Sequence, residues 1–370
     1  MRELTLLTGL NGMGKSSVIQ AMLALRQSFE TGVLSKGELA TSGAYIDLGS
    51  VSDVLFEGAE KDEIEISVGT NKDPEANSQF LFDVSLERNS ARAADSTVFD
   101  RAIKSLVGSA DTPLISNRDS ADPNEISTFH YLCAERNGPR KYLPMSRARA
   151  DALELGCQGE FVLHALQVHG EKLLLSSDDR RLFPEAGARL GDQVEAWLGA
   201  ISPGVRLSLT PVPDADLIVG AFSFGQSGML RSRNYRATNV GFGLSYVLPV
   251  LVALLATPKG GLVIIENPEA HMHPQGQTKL GELCARAAAS GVQVVIESHS
   301  DHLMDGMRIA IREGLVSNDR VTFHYFSRRD GVVIRRSPTL DREGRVSEWP
   351  EGFFDQHRLN SASLIRPKSS

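Results

Sequence analysis

The chain has 370 residues, the size of one large or two ordinary domains at roughly 100–200 residues each. It is 41% hydrophobic and 23% charged, and its 46 acidic against 39 basic residues leave a net charge of −7, which argues against a broadly basic nucleic-acid coat without excluding a local basic patch. No apolar run reaches the ~18 residues of a membrane span, no secretory signal pattern opens the chain, and Cys133, Cys157 and Cys284 are too widely spaced for a disulfide framework or zinc ribbon, so a cytoplasmic protein without membrane contact is expected.

Leu4 to Thr8 predicts a buried strand. After a glycine-rich turn, Val18, Ile19, Met22, Leu23, Leu25 and Phe29 recur at helical spacing and predict an amphipathic helix from Lys15 to Phe29. Thr31 to Gly58 reads as loop. Ile64 to Val68 and Phe80 to Leu86 read as strands of a hairpin. Asn89 to Asn124 is polar, with one helix near Phe99 to Val107. Thr128 to Ala134 predicts a strand, and Phe161 to Leu175 and Leu190 to Leu198 predict helices. Arg206 to Thr210 and Leu217 to Phe224 predict strands running into a tip with Arg231, Arg233 and Arg236, which either touches nucleic acid or simply solvates a hairpin. Gly243 to Ala256 and Thr278 to Ala289 predict helices around two buried strands, Leu262 to Ile265, which is fully apolar, and Val292 to Ile296. Such alternation predicts an α/β fold with a mostly parallel sheet. No heptads persist, so no long coiled-coil arm is expected.

Gly9-Leu-Asn-Gly-Met-Gly-Lys-Ser16 matches G-x-x-x-x-G-K-[ST], the phosphate loop of P-loop NTPases. Its glycines allow main-chain N–H groups to curl around phosphate, at a helix N-terminus that favours an anion. Asn11, Gly12, Gly14, Lys15, Ser16 and Ser17 are the expected nucleotide contacts. Lys15 would reach the β- and γ-phosphates, and the Ser16 hydroxyl would ligate Mg²⁺. Far downstream, Glu266 ends a buried strand, where a carboxylate can hold Mg²⁺ or its waters. Glu269 follows it. His299 stands just past the next buried strand, placed for an imidazole to position an attacking water. Asn239 to Tyr246 is a second glycine-rich helix start and a potential anion site through Gly241, Gly243 and Ser245. Some 250 residues separate the lysine from the acid, so a large insertion must split one nucleotide-binding sheet.

This order of motifs resembles the ATP-binding heads of the ABC/SMC superfamily, and more closely the OLD-type AAA-family ATPases of bacterial defence loci. The matching segments are Gly9–Ser16 (Walker A), Asn239–Tyr246 (a divergent signature), Leu262–Pro274 (Walker B and D-loop) and Ile296–Asp301 (the switch histidine), with Gly344–Gln356 similar to the tail of one subfamily. The resemblance implies a P-loop ATPase head with an antiparallel β subdomain and an inserted α/β lobe. Its expected parts are residues 1–60 and 201–335 as the two halves of the head, 61–200 as the lobe and 336–370 as a tail packing on the head. It implies a homodimer with ATP sandwiched between a phosphate loop and the partner's Gly241, Gly243 and Ser245. It also implies ATP and Mg²⁺ as cofactors and a role in regulating a separate effector, a nuclease or toxin, in anti-phage defence. The alternatives are an SMC-type DNA-binding or repair head, or the ATPase component of a nuclease complex. Related heads carry a further β segment ahead of the phosphate-loop strand; only three residues precede Leu4.

Departures from the pattern set further expectations. Asn267 stands where such heads place a catalytic Glu, and an amide cannot take a proton. Glu269, His299 or a water chain then substitutes, or hydrolysis is slow. His273 occupies the D-loop Asp position. Glu269, His271, His273, His299 and His302 are metal-ligand types, or else pack and contact a partner. Arg136 and Arg140 either contact phosphate or brace the inserted lobe.

Overall fold

Leu4–Gly9 is buried at every position, as a strand must be when helices cover both faces of its sheet. In the computed structural model, residues 1–70, 73–95, 127–225, 232–329 and 332–354 are described, with isolated positions at 99, 114, 360, 363 and 364. The elements are β1 (Leu4–Gly9), α1 (Lys15–Glu30), α2 (Val51–Val54), β2 (Glu63–Thr70), β3 (Asp73–Ser85), β4 (Ser90–Ala93), β5 (Phe129–Leu132), β6 (Leu143–Pro144), α3 (Arg147–Asp151), α4 (Val162–His169), α5 (Leu190–Ile201), β7 (Val205–Val212), β8 (Leu217–Phe224), β9 (Tyr235–Arg236), α6 (Phe242–Ala256), β10 (Leu262–Glu266), α7 (Pro274–Ala289), β11 (Gln293–Glu297), α8 (Asp301–Arg312), β12 (Val321–Arg329) and β13 (Val332–Arg336).

The chain forms two compact units, Met1–Lys15 with Asp122–Ser370, and Ser16–Ala121. In the first, six strands run in the order β13-β12-β1-β11-β10-β5, parallel except for β12 with β13. The predicted mostly parallel sheet is therefore present. Leu4 pairs with Val294 on one side and Val321 on the other, which puts β1 in the interior of the sheet. The register of β10 on β11 runs from Leu262↔Gln293 to Glu266↔Glu297. Two acidic residues therefore end neighbouring strands at the same level, on the edge where β1 ends at Gly9.

Helix α6 is buried continuously from Val247 to Ala256, so it is core on all sides rather than amphipathic. It packs against α5, α7, β5 and β10. Helices α7 and α8 cross closely. A Cβ on Gly281 would lie 2.1 Å from Leu303 O, and one on Gly306 would lie 2.1 Å from Thr278 O. A second, antiparallel sheet of the same unit joins β6, β8 and β7, with β9 on β8.

In the other unit, β2, β3 and β4 form an antiparallel sheet. Phe80 and Phe82 are both fully buried on one face and meet Phe99 edge-on, at 5.2 and 5.3 Å between centroids.

Several expectations shift. The lobe expected at 61–200 straddles the division between the units, because β5 completes the parallel sheet and β6 pairs with β8. The helix expected from Phe161 to Leu175 ends at His169; Gly170 follows, and Leu174 turns back to bridge Arg189. Ser90–Ala93 is a strand inside a segment read as loop. The helix expected near 99–107 lies outside the described residues apart from Phe99, as does Arg231 of the basic tip. Beyond Ser300, where no element is predicted, α8, β12 and β13 complete the unit. Phe353 of the expected tail is fully buried against Tyr325, whose hydroxyl donates to Glu351 O at 2.9 Å. Among the described residues no helix is long and apolar enough to cross a membrane.

Candidate nucleotide site

The turn between β1 and α1 has the backbone its sequence requires. Gly9, Gly12 and Gly14 all have positive φ, at 135°, 72° and 84°. Their reasons differ. A Cβ on Gly9 would stand 2.1 Å from Phe326 O on β12, whereas one on Gly12 or Gly14 would meet nothing within 4 Å. Gly9 permits strand packing. Gly12 and Gly14 supply the left-handed conformations that turn successive N–H groups to one side, the geometry of an anion nest.

Lys15 is only 3% exposed. Its Nζ donates to Leu10 O at 2.8 Å and lies 3.8 Å from Glu297 Oε1. Burial pulls its pKa below the usual lysine value, while Glu297 opposes that shift. Asn11, Gly12, Ser16 and Ser17 are exposed; Ser16 and Ser17 belong to the first turn of α1, in the other unit.

Glu297, which sequence reasoning did not single out, ends β11 level with Glu266 and is buried. The one signal for it was its place as the last residue of an apolar strand, the criterion that had selected Glu266. Glu266 accepts from the Tyr131 hydroxyl at 3.0 Å and from the Ala134 N–H at 3.3 Å. Burial raises its pKa, and the nearby Glu297 adds to the rise against these two hydrogen bonds. Burial first, then Glu266, hold the Tyr131 phenol well above its ordinary pKa, so it remains a donor.

Glu269 and His299 come together. The main-chain N–H of His299 donates to Glu269 Oε1 at 3.0 Å, while Glu269 Oε2 is buried with no hydrogen-bond partner among the described residues. Burial and Lys15 lower the His299 pKa from 6.5, against Glu269, so the imidazole is neutral at pH 7. Asn267 adopts φ +44°, a left-handed conformation that Asn tolerates better than Glu. Its N–H donates to Glu297 O at 2.8 Å. Residue 267 is thus chosen at least in part by backbone geometry.

The second glycine motif starts α6, with Gly241 as its N-cap. A Cβ on Gly243 would lie 2.6 Å from His271 O, while Gly241 faces open space. The first is required by packing within this chain, and the second leaves the helix start approachable. Ser245 follows in the same turn and is half-buried. Of the histidines read as metal-ligand types, His273 caps α7 by accepting from the Gln275 N–H at 3.3 Å, and His302 lies 3.7 Å from Asp301. Among the described residues no three His, Cys, Asp or Glu side chains gather as a metal site. Arg140 is exposed. Arg136 is buried and bonds main-chain carbonyls around Glu266 instead of bracing a lobe through carboxylates.

A family described as "AAA domain, putative AbiEii toxin, Type IV TA system" matches residues 4–305. The chain belongs to this family. A second family, described as a protein of unknown function (DUF3696), matches residues 316–362, the stretch that supplies β12, β13 and Phe353. Among curated proteins, none matches. Solved structures similar to this AAA-domain chain include an Smc head bound to the C-terminal winged-helix domain of ScpA, at 14% identity over 92% of this chain and 91% of that one, with a TM-score of 0.47. Another is the Smc head with an extended coiled coil bound to the C-terminal domain of ScpA from Pyrococcus furiosus, at 13% over 98% and 93%, TM-score 0.47. A third is the SMC head domain from Thermotoga maritima, at 10% over 91% and 90%, TM-score 0.40.

The residues of this AAA domain fit a nucleoside triphosphate. Left-handed glycines open onto free space, a buried lysine stands behind them, and a neutral imidazole and a half-engaged carboxylate stand at the next strand end. For Mg²⁺ the protein offers few side chains, consistent with a cation that takes most of its ligands from phosphate and water.

Proposed function

We propose that this chain binds and hydrolyses ATP as an SMC/ABC-like head that closes into a nucleotide-sandwich homodimer and thereby regulates a separate effector in anti-phage defence. The observation that carries the reading is the left-handed Gly12–Gly14 turn with Lys15 buried against Glu297 at the tip of the central sheet. In this reading the N–H groups of the turn hold the phosphates, and Lys15 exchanges the Leu10 carbonyl for phosphate oxygens. Mg²⁺, with one of its waters held by Glu266, would supply charge neutralisation on those oxygens. Glu269 and neutral His299 orient the attacking water, the task usually given to the residue at position 267. Gly241 and Ser245, at an open helix start, face the partner's nucleotide, so that binding closes the dimer and hydrolysis releases it. The effector is a protein, a nuclease or toxin; the −7 net charge favours this over a DNA track. The family description, which names a toxin of a toxin–antitoxin system, supports a defence setting.

The test is ATP turnover together with particle mass, with and without ATP, for the wild type and Lys15→Ala. The expected result is a wild type that turns over ATP and doubles in mass with it, and a variant that loses at least about tenfold in kcat/KM, a loss of about 1.4 kcal/mol of transition-state binding. Equal turnover in both proteins, with no nucleotide-dependent mass change, would sink the reading.

A further inference from the structure

We propose that Arg136 is a positioning residue that sets the backbone of the Glu266–Glu269 turn and ties it to the glycine-rich start of α6. The proposal rests on the ATPase reading above for its catalytic consequence, but its geometry stands by itself. Arg136 is 3% exposed and makes no ion pair among the described residues. Its whole fork is spent on main-chain carbonyls. Nη1 donates to Cys133 O at 2.9 Å and to Glu266 O at 2.6 Å, Nη2 to Asn267 O at 2.7 Å, and Nε to Tyr246 O at 3.3 Å. The guanidinium also lies over the Tyr246 ring, 5.1 Å from its centroid. One side chain thus joins the segment after β5, the end of β10 and the first turns of α6.

Burying a guanidinium with no carboxylate in ion-pair contact is an expensive way to hold a fold together, and well-packed apolar side chains usually do it better. What the group supplies here is direction. Its planar fork fits several divergent carbonyls at once, and a lysine ammonium cannot reproduce that geometry. Two of those carbonyls belong to Glu266 and to the left-handed Asn267. The side chains that leave this turn, Glu266 and Glu269, are the acids of the candidate site, and their aim depends on that backbone. The link to α6 is reinforced beside the arginine. The Tyr246 ring meets His271 at 5.1 Å, and Gly243 packs against His271 O. A shift of the α6 start, where Gly241 and Ser245 would meet a second subunit, is therefore carried to the acids through Arg136.

The experiment uses the full chain with Arg136→Lys and Arg136→Ala. Binding of a fluorescent ATP analogue, steady-state turnover, thermal unfolding and amide exchange are measured on each. For Arg136→Lys the expected result is an analogue Kd within about threefold of wild type and a kcat lowered at least about tenfold. Exchange should quicken at the Asn267, Ala270 and Met272 amides, which bond within or beside the turn, but not at the phosphate loop. Methylguanidinium should restore part of the kcat of Arg136→Ala and add nothing to wild type. Wild-type kcat and wild-type exchange in Arg136→Lys overturn the proposal. So does a parallel fall of kcat, affinity and unfolding temperature without rescue, which marks a merely structural role. A wild type that does not hydrolyse ATP overturns the ATPase reading, and the exchange measurement then decides the placing of the turn separately.

Discussion

Asn267 shows how one residue can carry two constraints. Its φ of +44° and its N–H bond to Glu297 O make it a hinge between two strand ends, and Asn is at home in that conformation. Asn267→Glu should therefore lower stability by about 1 kcal/mol without speeding ATP turnover, measured by urea denaturation and steady-state rates; a markedly faster variant would return the general base to position 267. His299 gives a prediction in pH. Its folded pKa lies below 6.5, so the neutral ring persists to lower pH than a free histidine would. Turnover that needs it should hold down to pH 6.5 and fail only below that, and His299→Gln should remove this acidic limb from the rate profile. His324 offers a stability readout away from the site. Burial, aided by Arg335, pushes its pKa down to about 4. The unfolded chain takes up the proton near 6.5, the folded chain only near 4, so protonation favours unfolding. Stability should be complete above pH 6.5 and fall as pH drops toward 4, and thermal unfolding of His324→Gln should show a shallower decline over that window.

At the scale of elements, the clearest pattern is which stretches announced themselves. Strands β10 and β11 are short and carry buried runs of Val, Ile and Leu at their centres, and their limits are readable to within a residue. No sequence signal marks strands β12 and β13, although β12 pairs with β1 from Val321 to Phe326. Its inward residues, Val321, Phe323, Tyr325 and Phe326, are interrupted by Thr322 and His324, so no continuous apolar run marks it. Helix α8 is amphipathic and as long as α5, but it follows directly on a motif whose loop character dominates. The α7–α8 crossing depends on glycines that look unremarkable in sequence. Gly306→Ala should cost about 1–3 kcal/mol by forcing the helices apart, whereas Gly199→Ala in α5, which faces open space, should be neutral or stabilise by up to about 1 kcal/mol. Denaturant unfolding of the two variants side by side checks the contrast.

For the whole molecule, the C-terminal third of the main unit is part of its centre. Removing the chain beyond Ser317 would strip β12 and β13 from one side of β1 and expose the backbone edge of the strand that carries the phosphate loop. The truncated protein should lose cooperative unfolding and aggregate rather than behave as a smaller ATPase, as light scattering and calorimetry would show. The same topology explains why the expected lobe at 61–200 does not match a unit. Strands β5 and β6, in its second half, pair with β10 and β8, which lie beyond residue 200, and pairing distance is not written in local pattern.

Local chemistry was enough to reveal the phosphate loop, the acid at the end of β10, the histidine after β11 and the parallel α/β class. Each depends on residue types at fixed short spacing, which is how backbone conformation and strand burial are encoded. Three-dimensional pairing was needed to bring Glu297 level with Glu266 and against Lys15, to aim the Arg136 fork at carbonyls 110 to 131 residues distant, and to set β12 beside β1. Those relations are set by sheet register and helix packing across long loops, where the energy comes from contacts between segments that leave no mark in either segment alone.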